Sequence, residues 1–405
     1  MMGWLFLAVV TGVLAWWTVT AGLHRTPGWA GRGALGALAA LWVVTAGVMV
    51  LRFSGGMGAM TNMSDTYPWG VWVGFLQAGV ALSGGGFVMA ATVHIFHIRR
   101  FEPILRPVVL LAFLGYSFVA MTLFIEVGRP YNLWHPLAMW QHHSIMFEVA
   151  WCVTLYLTVL AVEFSPAVLE RLGLTKAVEF LHRAAIPIVI VGVILSTLHQ
   201  SSMGSMFLIV PQKIHPLWYS TLLPVFFLIS SVAVGLCVTV VASFYSARLF
   251  GKTLDRWLLA DLARAASWIL FLYGVVRVVD VSARGAWGRL LDPAWLGAVF
   301  FLEVGAGVFL PAVLLSRHSV RERPRRLVLS CLPALAGVVL NRLTVSWLSM
   351  VPYTGPGYTP HWMELAVSIS LFTLVVVLFG LAVKFLPVFP VEEKLGEVHG
   401  GKTVS

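Results

Sequence analysis

Nine polar side chains fall inside stretches that otherwise read as Leu, Val, Ala, Phe and Ile: Glu126, Glu148, Arg277, Asp280, Glu303, Arg342 and Glu364, with His199 and Gln200. If those stretches cross a bilayer, each charge costs about 2.5–3.5 kcal/mol on insertion scales and asks for a partner or a task. His199 and Gln200 open "HQSSMGSMFLIV", directly behind "AAIPIVIVGVILSTL". A neutral imidazole offers a donor and an acceptor together, which suits proton exchange. The alternative is that His199, Gln200, Ser201 and Ser202 bond the last carbonyls of a helix and hold it to its neighbours. In "IEVGRP" Glu126 and Arg129 stand three apart, and "RVVD" repeats the spacing with Arg277 and Asp280, so ion pairs at helix ends are a structural alternative to a chemical role. Glu303 and Arg342 have no opposite charge within a turn; they pair with each other, with a neighbouring helix, or within a proton relay. "WQHHS" sets His142 and His143 just before Glu148. An adjacent pair is a poor metal site, which needs more converging ligands, so the spacing points to proton exchange, a hydrogen bond to a carbonyl ligand, or an ordinary surface loop.

The elements that must position these groups are membrane helices. Of 405 residues 59% are hydrophobic and 11% charged, with a mean hydropathy of +0.88, which marks an integral membrane protein. The apolar runs are continuous and about 20 residues long, so helices are expected in place of a barrel. Eleven crossings are predicted: Trp4–Val19, Ala34–Leu51, Gly70–Ile98, Ile104–Val127, Ser144–Phe164, Ala184–His199, Leu217–Tyr245, Leu258–Val279, Pro293–Leu315, Leu327–Met350 and Trp362–Leu386. The connections alternate in charge. One set holds Arg99, Arg100 and Arg106, then Arg171, Lys176 and Arg183, then Arg317, Arg321, Arg323, Arg325 and Arg326; the other is sparse. The positive-inside rule puts the basic set in the cytoplasm, with the N-terminus outside and the C-terminus inside. The net charge of +10 is thus a matter of orientation, and no nucleic-acid partner is expected. The outer connections are rich in Trp, Tyr, His, Gly and Pro, and nearly all the buried charges lie toward them. The outer face is the expected working face.

Three cysteines, Cys152, Cys237 and Cys331, lie far apart in apolar runs without a Cys-x-x-Cys pair, so no iron–sulfur or zinc set is expected. Two stacked haems would need four histidines on facing helices, whereas the spans hold only His94, His97 and His199, with His182 at an edge. A secondary transporter would also bury charges, but typically with internal repeats, and none is visible.

A set of motifs in fixed order is similar to the NrfD / polysulfide-reductase membrane subunits, and within that family to the HybB-like subunits of hydrogenase-2-type nickel–iron hydrogenases. It comprises "YPWGVW" (67–72), "GYS" (115–117), "IEVGR" (125–129), "EFSPAVLERLG" (163–173), "HQSSMGS" (199–205), "HPLW" (215–218), Glu303, "NRLT" (341–344) and "YTPHWMELAVSI" (358–369). The resemblance covers nearly everything from Arg52 onward. It divides the chain into N-terminal helices at 1–51, the family-like domain at 52–386 and a cytoplasmic tail at 387–405; such chains read as ten spans, so Met1–Leu23 is an addition. It implies two four-helix bundles, no haem and no iron–sulfur cluster in this chain, and a menaquinone-type ligand near the periplasmic side. It also implies a periplasmic iron–sulfur partner with a catalytic subunit, of a hydrogenase or of another complex handling polysulfide, sulfur, formate or cytochrome. On that reading His199 and His143 meet quinone carbonyls, with Gln200 and His142 beside them. Glu126 and Glu148 exchange protons, and Tyr116 and Trp69 line the slot. Arg277, Asp280, Glu303, Arg342 and Glu364 then extend a polar route.

Overall fold

A computed structural model describes residues 29–388 except 66, 68, 251–254 and 355–357. Among the described residues ten helices are long and apolar enough to cross a membrane: α1 (Gly36–Gly55), α2 (Val71–Ile95), α3 (Arg99–Glu126), α4 (Ile145–Arg171), α5 (Ala185–Ile209), α6 (Leu223–Arg248), α7 (Arg256–Ala283), α8 (Ala294–Ser316), α9 (Pro324–Tyr353) and α10 (Trp362–Phe385). The protein is an all-α, multi-pass membrane protein. The expected crossing Trp4–Val19 lies outside the described residues.

Helices α2–α5 form one four-helix bundle and α6–α9 a second, joined where α2 and α5 meet α6 and α9. Small residues set the closest approaches, as expected where hydrocarbon on all sides gives helices no hydrophobic reason to associate. A Cβ on Gly235 of α6 would come 2.4 Å from the Gly85 backbone nitrogen of α2. One on Gly337 of α9 would come 2.5 Å from the Gly307 Cα of α8. The pair α1–α10 flanks the first bundle against α3: Trp42 Nε1 donates to Thr373 Oγ1 at 2.9 Å, and Arg52 Nε and Nη2 each donate at 2.7 Å to the Ile125 and Val127 carbonyls. That guanidinium satisfies carbonyls the end of α3 leaves open.

Ile190, Val191, Ile194 and Leu198 on α5, and Phe271, Leu272, Val275 and Val279 on α7, remain exposed as apolar stripes. A soluble protein would hide such stripes; here they are the surface that lipid covers. One end of the molecule is tied by polar cross-links. Tyr67 Oη donates to the Trp347 carbonyl, Trp72 Nε1 donates to the Glu364 carbonyl at 2.8 Å, and the Val71 amide donates to Tyr358 Oη at 3.0 Å.

Two spans differ from expectation in a way that matters. The crossing expected over Ala184–His199 runs on as helix to Ser205 and as a tighter turn to Ile209, so His199 and Gln200 sit within α5. The crossing expected to end at Phe164 continues to Arg171, which places Glu163 inside α4.

Candidate functional site in the first helix bundle

Helix periodicity brings His199 inward. Gly192, Ser196 and His199 recur at four and three residues, so they share one stripe of α5, and that stripe faces Tyr116 of α3 and Tyr156 of α4. The Tyr116 ring lies 5.6 Å from the His199 ring and 4.6 Å, edge-on, from Tyr156. Ser196 stands beside both phenols. All four side chains are fully buried, and although Ser196 is close enough to both phenols to interact with them, no contact of Tyr116 Oη, Tyr156 Oη, Ser196 Oγ or either His199 ring nitrogen with a described residue has full hydrogen-bond geometry. Buried polar atoms are nearly always paired, because an unpaired one forfeits about 1–3 kcal/mol of hydration. A cluster of four unpaired side chains is therefore a place where something polar belongs.

Toward the cross-linked end, Ser202 Oγ donates to Glu148 Oε1 at 2.5 Å, which puts a carboxylate one turn beyond His199. Ser144 begins α4 there, its Oγ accepting from the Phe147 amide at 3.4 Å. Gln200 points away from this stripe: its Nε2 donates to the Val80 carbonyl at 2.8 Å and ties α5 to α2. Trp69 packs edge-on to Phe207, ring centres 5.4 Å apart, at the same end of α5. Glu126 ends α3, and no ion pair joins it to the exposed Arg129 among the described residues. His142 and His143 are exposed on the connection into α4, their rings 4.0 Å from each other, and no hydrogen bond or ring contact joins them to His199. The structure thus groups His199, Tyr116 and Glu148, with Trp69 nearby, and leaves Gln200, Glu126, His142 and His143 outside that group.

The second bundle holds the remaining polar set. Glu303 lies in a π-helical stretch of α8, Leu302–Phe309, a wide turn often found at functional positions. It accepts from Trp218 Nε1 at 2.8 Å and Asn341 Nδ2 at 2.7 Å. Asn341 Oδ1 accepts in turn from Arg342 Nη1 at 2.5 Å, and Arg342 Nη2 reaches Ser230 Oγ at 2.8 Å. Glu303 and Arg342 are therefore linked through Asn341. Arg277 does not pair with Asp280: its Nη2 donates to the Leu217 carbonyl at 3.0 Å, and its head lies over the Phe226 and Phe300 rings. Asp280 binds Arg284 one turn on, at 2.6 Å, and Ser220 at 2.8 Å. Glu364 caps α10, accepting from the His361 amide at 3.0 Å, from Asn62 at 3.3 Å and from Tyr358. Burial, then the Glu364 hydrogen bond, pushes the Tyr358 phenol above its ordinary range. In the connection between α5 and α6, His215 Nε2 donates to the Asp292 carbonyl at 2.8 Å and Nδ1 accepts from the Leu217 amide at 3.3 Å. Burial lowers its pKa, against an opposing pull from the Asp292 carbonyl.

Sequence reasoning gave no site role to Tyr156, Ser196 or Gln77, and named Glu163 only as part of the "EFSPAVLERLG" motif. The first three are neutral and lie in apolar runs without a motif or a charge to mark them; a search for every polar side chain within the spans finds them. Gln77, with both amide atoms unpartnered, lies one turn from Gly74, which abuts Leu343 and Ser346, and one from Ala81, which packs with Val234 and Val338. Its place on α2 is the seam between the bundles.

The polysulphide reductase, NrfD family profile matches residues 59–352. A protein of Nitratidesulfovibrio vulgaris Hildenborough, described only as "Protein", is 38% identical over 351 residues, covering 84% of this chain and 90% of its own. The "Probable Ni/Fe-hydrogenase 2 b-type cytochrome subunit" of Escherichia coli K12 is 33% identical over 349 residues, 85% of this chain and 89% of that one. The "Menaquinone reductase, integral membrane subunit" of N. vulgaris is 26% identical over 369 residues, 84% and 87% of the two chains.

The second of these descriptions overturns the expectation that the resemblance implies no haem, since a b-type cytochrome carries one. We tested the described residues for the opposed imidazoles that hold such a group. His199 is the buried candidate, but His94, His97 and His182 lie at the other end of the bundle, lining one cavity, and both nitrogens of His215 are engaged. His142, His143 and His318 are exposed, His135 is half-buried against Trp134, and His361 caps α10. The described histidines do not form an opposed pair.

Proposed function

The chain belongs to the polysulphide reductase, NrfD family, and from that premise we propose that it is the quinone-reactive membrane subunit of a respiratory oxidoreductase. It exchanges electrons with an iron–sulfur subunit docked on the cross-linked face, in a complex whose catalytic subunit is of the nickel–iron hydrogenase type. The substrate is a menaquinone-like molecule. The observation that carries this reading is His199, an imidazole buried in apolar surroundings with both nitrogens free, beside the unpaired Tyr116 hydroxyl. A quinone presents two carbonyl acceptors and takes up two protons when reduced; a buried imidazole can donate to such a carbonyl and be reprotonated. Glu148, held by Ser202, is placed to exchange protons at the outer end of the same stripe. Trp69 and Phe207 supply an apolar wall. Arg277, Glu303 and Arg342, with Asp280 and Glu364 at the outer rim, form a second polar path. The basic connections set the orientation, with the cross-linked face periplasmic and the C-terminus cytoplasmic in a bacterial inner membrane. We retain the division into 1–51, 52–386 and 387–405.

The test is His199→Ala in the intact complex. Quinone reduction should fall by about 10²–10⁴, the range for a lost acid–base group, while the subunit stays in the membrane with its partners. Turnover at the wild-type rate would remove His199 from the site.

A further inference from the structure

The interior of the second bundle holds more positive charge than its carboxylates answer. Arg277 of α7, Glu303 of α8 and Arg342 of α9 are all buried there, and both guanidiniums interact with the Glu303 charge and with Tyr273 of α7. The other carboxylate buried among the described residues of α6–α9 is Asp280, and it already holds Arg284 at 2.6 Å. Two cations therefore share one carboxylate, and one positive charge is left over. A guanidinium cannot shed its proton to escape such a site. An uncompensated charge away from water costs several kcal/mol.

The hydrogen bonds are lopsided in the same direction. Arg277 spends Nη2 on the Leu217 carbonyl, and its Nε and Nη1 have no partner. Arg342 spends Nη1 on Asn341 and Nη2 on Ser230 and the Phe227 carbonyl, and its Nε has none. Glu303 takes Trp218 on one oxygen and Asn341 on the other. The orphans around Glu303 are thus N–H donors, each on a cation. The Phe226, Phe300 and Phe227 rings lie 5.1, 5.9 and 3.6 Å from the two guanidinium carbons and offset part of the surplus, but they bring no negative charge. Water would fill the donors and leave the charge; a small anion answers both. Arg277 lies one turn inward of Asp280, and its partner Leu217 is in the connection between α5 and α6, so the site lies near the cross-linked face.

We propose that the second bundle binds a small monovalent anion such as chloride on the open N–H groups of Arg277 and Arg342. The ion neutralises the surplus charge and completes the network that Asn341 carries from Glu303 to Arg342. The proposal stands apart from the reading of His199, since no residue of the first bundle's stripe takes part in it.

The experiment uses the intact complex in detergent, exchanged into potassium gluconate, whose anion is bulky, and titrated with potassium chloride or bromide at constant ionic strength. The wild-type melting temperature should rise by several degrees and saturate with either halide, because a ligand of the folded state alone stabilises it. Radioactive chloride should be retained at about one ion per subunit, as a single site requires. Arg277→Gln removes the surplus and the open Arg277 donors, so both the halide response and the tracer retention should fall at least tenfold. Glu303→Gln doubles the surplus and should lower the half-saturating halide concentration several-fold, a gain that damaged packing would not produce. His199→Ala should respond as wild type does. A wild-type melting curve indifferent to halide, with no chloride retained, would show that water alone meets the donors and would overturn the proposal. An undiminished response in Arg277→Gln would overturn the site. If Arg277→Gln fails to assemble, Glu303→Gln decides, and a half-saturating concentration that stays the same or rises counts against the ion.

Discussion

The two bundles have the same architecture and opposite electrostatics. The second, α6–α9, buries charges and gives most of them partners: Glu303 is held by Trp218 and Asn341, and Arg342 by Asn341, Ser230 and the Phe227 carbonyl at 3.2 Å. The Arg342 guanidinium also lies 3.6 Å over the Phe227 ring. The first, α2–α5, has a neutral stripe at its centre and gives it almost none. A charge stripped of water must be compensated by the protein itself, so the second bundle is built around its network. Neutral hydroxyls and an imidazole cost less to leave open, and only an open group can bind a substrate or pass a proton on. The second network is itself incomplete, since Arg277 Nε and Nη1 and Arg342 Nε have no partner, but each of its charged groups holds at least one hydrogen bond, whereas His199, Tyr116, Tyr156 and Ser196 hold none with their polar side-chain atoms.

The sharpest way to break this comparison is to remove one end of the second bundle's network. Arg342→Ala leaves Glu303 buried without the cation behind Asn341 and opens a hole beside Phe227. Removal of one member of a buried ionic network costs about 3–5 kcal/mol, so the variant should melt well below wild type in detergent. If its melting temperature is unchanged, the second bundle is not held by this network.

Gln200→Leu tests a tie that belongs to neither stripe. Its amide is the direct side-chain link from α5 to the Val80 carbonyl of α2, and its loss should cost about 1 kcal/mol. The readout is a modest drop in melting temperature, with quinone reduction reduced less than in His199→Ala. An effect on turnover as large as that of His199→Ala would put Gln200 in the site.

The opposite sign is expected in the first bundle. Tyr156→Phe deletes a hydroxyl that has no protein partner. Stability should rise or hold within about 1 kcal/mol, because an apolar group of the same shape replaces an unpaired polar one. A loss of several degrees in melting temperature would mean that Tyr156 is bonded after all, and the comparison would fail on that side.

How much of this was legible beforehand follows from the same physics. Membrane class and helix order were read correctly because apolar runs of bilayer length have few alternatives. The polar residues of α7, α8 and α9 were recognised as out of place by charge alone. Their partners were not: the sequence offered Arg277–Asp280 by spacing, but Arg284 stands four residues after Asp280 and reaches it at 2.6 Å, while Arg277 turns inward to Leu217. Spacing says which residues share a helix face, not which of two cations a carboxylate prefers. Tyr156 and Ser196 carry no charge and do not interrupt an apolar run, so only the packing of α3, α4 and α5 reveals that they meet. Glu163 entered only as the first residue of a motif, because the crossing Ser144–Phe164 puts it at a helix end, where a carboxylate is ordinary, whereas the helix runs on to Arg171.

The smallest effect concerns the rim that both bundles share. His215, between α5 and α6, donates from Nε2 to the Asp292 carbonyl before α8 and accepts at Nδ1 from the Leu217 amide, and its own amide donates to the Ser349 carbonyl of α9 at 3.1 Å. With one nitrogen donating and the other accepting, the ring is neutral, and burial holds its pKa below the ordinary histidine value of about 6.5. The folded state then binds fewer protons than the unfolded state as that value is approached, so protonation favours unfolding. The stabilisation from His215 is complete above about pH 6.5 and is lost as the pH falls through the lowered value. Melting temperatures measured from pH 8 to pH 5.5 should therefore decline toward acid, and His215→Gln should flatten part of that decline while lowering the plateau slightly. The clamp abuts the second bundle's network, through the Leu217 peptide that holds Arg277 and through Trp218, which holds Glu303, but it touches nothing in the first bundle's stripe, so turnover corrected for folded fraction should keep its pH profile. If His215→Gln shifted that corrected profile, the rim would be coupled to the quinone site, and the two bundles could no longer be treated as a stable frame beside an open one.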